Sequence, residues 1–164
     1  MTTDDARLID GEDPAGQADA DAARLYAILF AIVLDAEKRL AAHLAAHDLT
    51  TPQFYVLKTL REQGGQMGIG QIARAHSLTN ATMTGLVNRL EAGTPPLVTR
   101  TRDPHDGRAV TVALTDEGRR RFDVVQAALT DELRALFSLL PAAERRALLD
   151  DIARYVALLT GLSL

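Results

Sequence analysis

Between Thr79 and Arg108 the chain spaces short polar and cationic side chains in a pattern suited to hydrogen bonding with a nucleic acid. Thr79, Asn80, Thr82, Thr84, Gly85, Asn88 and Arg89 fall outside an apolar stripe of Met83, Leu86, Val87 and Leu90, and that stripe has the spacing of a helix with one buried face. Threonine and asparagine on the outer face can bond base edges or phosphate oxygens, and arginine can pair with guanine or phosphate. Further on, Arg100 and Arg102 alternate with Thr99 and Thr101, so the two arginines share one face of a strand. Arg108 follows in a polar turn, two residues after Asp106. An arginine on a protruding ribbon can enter a minor groove, where phosphates on both walls deepen the negative potential. Asp106 either orients that guanidinium or shapes the turn.

Catalysis has no comparable set of residues. The chain contains no cysteine, which removes disulfides, thiolate metal sites and thiol nucleophiles together. It shows no Ser-His-Asp pattern and no glycine-rich phosphate loop. Asp116 and Glu117 form an acidic pair, but they stand at a helix start, where acids complement the dipole. His43 and His47 are four residues apart on a helix, a spacing that can bind one metal ion. No cysteine or nearby acidic pair completes such a site, so both are read, together with Tyr55, as the edge of a ligand pocket between two lobes. Phe54 is read as core, and Tyr26 and Tyr155 as interface packing.

The elements needed to hold the polar residues can be read from the rest of the chain. Residues 1–18 lack periodicity and read as a flexible acidic tail. From Asp19 to about His47, Leu25, Ile28, Leu29, Ile32, Ala36, Leu40 and Leu44 keep helical steps. The stretch Leu25 to Leu34 is apolar nearly all round, too short to cross a bilayer but in need of cover on several sides. Thr51 as N-cap and Pro52 as first residue open a second helix, which Gly64-Gly65 ends. A short helix is predicted over 69–76, and a second from Asn80 to about Ala92 with Thr79 as its cap. After Gly93-Thr94-Pro95-Pro96, residues 97–102 and 109–114 read as the two strands of a hairpin. Thr115 caps a further helix, and Pro141 separates it from a last one striped by Leu148, Ile152, Tyr155, Val156 and Leu159.

A hairpin beside a short helix pair is a winged helix. The expected fold is mainly α with a small β-hairpin wing: a winged helix-turn-helix lobe at 49–115, with 19–48 and 116–164 forming a helical dimerisation layer. The hairpin is also what decides between two readings of the polar face at 80–89, since an isolated helix with that face would simply be solvated. Net charge is no obstacle. Residues 1–21 carry seven acids against Arg7, so the overall −4 leaves +2 for the remainder, with arginines recurring from Arg89 to Arg121.

At these residues the chain resembles the MarR family of bacterial regulators. The resemblance runs from Asp19 to Leu159 and is carried by LTTPQFYVLKTL (49–60), IGQIARAHSLTNATMTGLVNRLE (69–91) and LVTRTRDPHDGRAVTVALTDEGRR (97–120). It implies a cytoplasmic homodimer on inverted-repeat operators in double-stranded DNA, usually a repressor, released by a small aromatic or phenolic effector and using no cofactor. It also implies that Asn80, Thr82, Thr84, Gly85 and Asn88 lie at the major groove and Arg108 in the minor groove; Arg89, Arg100 and Arg102 are expected, from their charge and position, to contact phosphates. The chain departs from the family pattern in its Thr94-Pro95-Pro96 connection, in Asn88 where aspartate is common, and in Gly107 beside the wing arginine. These departures bear on the wing angle and the operator sequence. The alternatives are a winged-helix protein-interaction module and a metal-responsive regulator.

Overall fold

The computed structural model describes residues 14–102 and 110–161. In chain order the elements are α1 (Pro14–Ala45), α2 (Thr51–Glu62), β1 (Gln66–Gly68), α3 (Ile69–Ala75), α4 (Asn80–Ala92), β2 (Val98–Arg102), β3 (Val110–Leu114), α5 (Asp116–Ser138) and α6 (Ala142–Thr160). Two compact units divide the chain, one up to Leu40 and one from Ala41 onward.

In the first unit, α1 starts at Pro14, ahead of the Asp19 boundary that periodicity suggests. Proline is tolerated at a helix start, where its missing N–H would have no partner anyway. Ala15, Gln17, Ala18 and Ala20 are adequate helix formers, but none is a large apolar residue that registers in a periodic pattern. Leu25, Tyr26, Ile28, Phe30, Ile32, Val33 and Leu34 are all exposed, and Tyr26 packs on Phe30 with ring centroids 5.6 Å apart.

The second unit holds the core. Phe54, Val56, Leu57 and Leu60 of α2 are buried with Ile72 and Ala73 of α3, the predicted stripe of α4, Val98, Val112 and Leu114 of the strands, and Phe122 and Val125 of α5. The Phe54 and Phe122 rings stack at 5.3 Å, which fixes α2 against α5 and bears out the core reading of Phe54.

The N-cap of α2 is Thr50 and not Thr51, and Gln53 Oε1 accepts from the Thr50 backbone N–H at 2.9 Å and from its hydroxyl at 3.0 Å. Sequence alone left this register open, because either threonine can cap and proline lacks a needed N–H at neither of the first positions. Gly64 and Gly65 take φ of +76° and +94° and turn the chain out of α2. The Gly65 carbonyl then accepts from the Leu114 N–H at 2.8 Å.

The sheet has three antiparallel strands in the order β1-β3-β2, with Gln66 opposite Ala113 and Arg100 opposite Val112. Only the β2–β3 hairpin is legible in the sequence. β1 is three residues long and carries no alternation; it exists because β3 offers it a free edge.

α5 starts where Thr115 links three segments. Its hydroxyl accepts from Gly118 N–H at 3.0 Å and donates to Pro96 O at 2.8 Å, and its own N–H reaches Leu97 O at 3.1 Å. Substituting Thr115 by alanine is expected to cost about 1–2 kcal/mol, the usual penalty of a lost cap, read as a lower urea midpoint at unchanged slope. At its far end α5 stops at Ser138, where Arg145 Nη1 donates to Phe137 O at 3.1 Å and Leu140 O at 3.2 Å. These bonds satisfy carbonyls that a helix end leaves open. Among the described residues of α6 none is buried. Leu133 and Leu136 of α5 and Leu139 just after it are exposed, as are Leu148, Leu149, Ile152, Leu158 and Leu159 of α6. No helix among the described residues is long and apolar enough to cross a membrane.

Candidate nucleic-acid interface

α3 and α4 form the helix-turn-helix. The turn between them is tight: Leu78 N–H donates to Ala73 O at 2.9 Å and Ser77 N–H to Arg74 O at 3.1 Å. Ser77 adopts φ of +53°, a left-handed conformation that a non-glycine residue takes only when its surroundings hold it. Thr79 then caps α4 as expected, accepting from Thr82 N–H at 3.2 Å.

Met83, Leu86, Val87 and Leu90 are buried, so the opposite face of α4 is turned outward. Thr79, Asn80, Thr82, Asn88 and Arg89 are exposed, and Thr84 and Gly85 half-buried. A Cβ added at Gly85 would meet nothing within 4 Å, so the backbone is open to approach there. Three hydroxyls already have partners. Thr84 Oγ1 donates to Asn80 O at 2.7 Å, and Thr82 Oγ1 bonds Thr79 Oγ1 at 2.9 Å. Thr84 therefore offers a partner lone pairs and no proton while that bond persists.

β2 is held close to the end of α4. Leu97 N–H donates to Leu90 O at 2.9 Å. Arg100 is engaged with α4 itself: its Nε donates to Glu91 Oε2 at 2.7 Å, its backbone N–H to Glu91 Oε1 at 3.1 Å, and its Nη1 to Asn88 Oδ1 at 2.5 Å. Arg102 is exposed and, with Glu91, Arg100 and Val110, lines a hollow of about 260 Å³. Asp106 and Arg108 lie outside the described residues. Glu91 is the site residue that the sequence reading missed. The available signal was its place as the one acid of α4, three residues after Asn88 and so on the same helix face.

His43, His47 and Tyr55 have different surroundings. His43 Nε2 bonds Glu132 Oε1 on α5 at 2.9 Å. His47 borders a cleft of about 220 Å³ with Asp48, Glu117 and Arg121, where Arg121 Nη1 donates to the His47 carbonyl at 3.0 Å. Tyr55 borders a different one, of about 270 Å³, with Pro52, His76 and Leu78. The spacing of His43 and His47 on one helix could not reveal the His43 partner on α5. Among the described residues, no three acidic or histidine side chains are grouped to hold a metal ion.

A short helix pair with an outward polar face, flanked by a three-stranded sheet whose strand β2 is tied to the second helix, defines a winged helix-turn-helix protein. Residues 49–110 match the MarR family. TtmR of Methylorubrum extorquens, named as an HTH-type transcriptional regulator, is 38% identical over 110 residues, which are 67% of this chain and 54% of TtmR. The chain thus spans about half the length of that relative. A MarR family protein from Bacillus stearothermophilus superimposes with a TM-score of 0.77 at 25% identity, covering 87% of this chain and 97% of that one. A point mutant of MepR from S. aureus, solved bound to an oligodeoxyribonucleotide, shares the fold with a TM-score of 0.61 at 24% identity over 82% of this chain and 98% of its own. The chain belongs to the MarR family of winged helix-turn-helix regulators, whose matched relatives carry names of transcriptional regulators and not of enzymes.

Proposed function

We propose that this protein is a cytoplasmic, homodimeric DNA-binding transcription regulator that represses palindromic operators and is released from them by a small aromatic or phenolic effector. The observation that carries the reading is the outward face of α4, where Asn80 and Thr82 flank a backbone left open at Gly85. A major groove about 12 Å wide admits such a helix, and short polar side chains then reach base edges. The DNA-bound MepR mutant, of the same fold, supports this use of the lobe.

The exposed apolar residues of α1, α5 and α6 support a second copy as their cover. In a symmetric pair the two α4 helices stand about one DNA turn apart, near 34 Å, on an inverted repeat. The effector acts by binding the DNA-free arrangement more tightly, which shifts the population away from the operator-bound one.

Retention from a random duplex library at near-physiological salt, followed by sequencing, tests the reading. Recovery of an inverted repeat with half-sites about ten base pairs apart supports it. Salt-sensitive background without a motif rejects it in favour of a protein-interaction module. The wing arginine has its own test: Arg108→Ala is expected to weaken operator binding about tenfold while leaving the dimer intact by sedimentation, and unchanged affinity would remove Arg108 from the interface.

A further inference from the structure

We propose that Glu91 is a positioning residue for DNA recognition: through Arg100 it locks the first wing strand onto the recognition helix, so that Arg100 is an internal strut and not a phosphate contact. The proposal rests on the DNA-binding reading above.

The geometry is that of a two-point clamp. One carboxylate oxygen of Glu91 takes the Arg100 backbone N–H and the other takes Nε, with Nη2 of the same guanidinium also paired to it. A third arm, Nη1, reaches Asn88 one turn earlier on the same helix face. β2 is an edge strand, so alternate amides along it face away from β3, and Glu91 takes the one at Arg100. The Arg100 and Glu91 side chains are only 36% and 31% exposed, and a charged, multiply bonded pair so placed is screened less than an open surface pair.

Two anchors now tie β2 to α4. The first is Leu97 N–H on Leu90 O, at the entry to the strand. One anchor would leave β2 free to pivot about Leu97; the second, three residues on, fixes its direction. That direction decides how the wing meets DNA while α4 occupies the major groove. A guanidinium already matched to a carboxylate at 2.7 Å brings little net charge to a phosphate. Phosphate attraction from the described part of this face then falls to Arg89 and Arg102, both exposed.

The test uses the full chain and the operator recovered by selection, with the variants Glu91→Gln and Arg100→Lys, each checked for folding by its thermal midpoint. The strut predicts about tenfold weaker operator binding for each, with the double variant no worse than either single one. It also predicts that the slope of log affinity against log salt stays at the wild-type value. A phosphate-bound Arg100 gives the opposite pattern. Glu91→Gln would then bind DNA more tightly, Arg100→Lys would keep its affinity, and Arg100→Gln would lower the salt slope by about 0.9 for each phosphate no longer neutralised. Any of these overturns the proposal. Amide hydrogen exchange at Arg100 in the free protein, compared with Glu91→Ala, judges the clamp without DNA: faster exchange in the variant supports it, and equal rates overturn it. A wild-type protein that selects no operator would instead sink the regulator reading and, with it, any role of Glu91 in recognition.

Discussion

Replacing Gly118 by alanine is expected to destabilise the protein by about 2–3 kcal/mol, a drop of roughly 4–12 °C in thermal midpoint for a chain of this size. The cause is the crossing of α5 over the start of the wing. A Cβ at Gly118 would stand 2.0 Å from the Leu97 carbonyl oxygen and 3.0 Å from its carbon, where ordinary contacts begin near 3.4 Å. Both atoms belong to backbone, so no rotamer change relieves the overlap. The same carbonyl accepts from Thr115 N–H, so moving it away breaks the junction of β2 with α5. Alanine is the better helix former by up to about 1 kcal/mol, and that gain is already subtracted in the net figure. A midpoint equal to wild type would show that α5 does not cross Leu97 this closely.

Gly85→Leu is expected to act with the opposite sign on stability and with a far larger effect on function. Nothing lies within 4 Å of a Cβ at Gly85, so a helix-forming side chain there adds roughly 0.5–1 kcal/mol of stability. On the proposed interface, however, that side chain stands between α4 and the base edges. Direct readout is lost, and operator affinity falls about a hundredfold or more toward the level of non-specific binding. A thermal melt and a shift assay on the same preparation read both effects. A variant that is more stable and still binds its operator would move the interface off this face of α4. Few single changes separate folding from recognition so cleanly, because most glycines of a helix lobe serve packing. Gly118 is the counter-example within the same chain.

Legibility varied with the range of the interactions involved. The α4 stripe and the Thr79 and Thr115 caps were visible because each is set by residues within a few positions of one another, and the pairing of β2 with β3 because the two strands follow each other directly in the chain. The short strand β1 was not, since its partner Ala113 lies far along the chain from Gln66. The start of α1 at Pro14 and the Thr50 cap of α2 were missed by a few residues, where several local solutions have nearly equal energy. For the site, the outer face of α4 was readable from helical geometry, and so were Arg100 and Arg102 as strand neighbours. The surroundings of His43, His47 and Tyr55 were not readable, because local sequence says nothing about which neighbour each side chain meets.

Composition and periodicity therefore decided the element order, the polar face of α4 and the absence of any thiol chemistry, since these follow from side-chain type and repeat alone. Tertiary structure decided what the same residues do once neighbours arrive. It paired Arg100 with Glu91 and Asn88, gave Thr84 an acceptor in its own helix, and made Gly118 the one residue that fits beneath the Leu97 carbonyl. The physical reason is common to all three. A side chain's chemistry is fixed by its atoms, but its availability depends on the groups within hydrogen-bond or van der Waals reach, and packing brings those groups from distant parts of the chain.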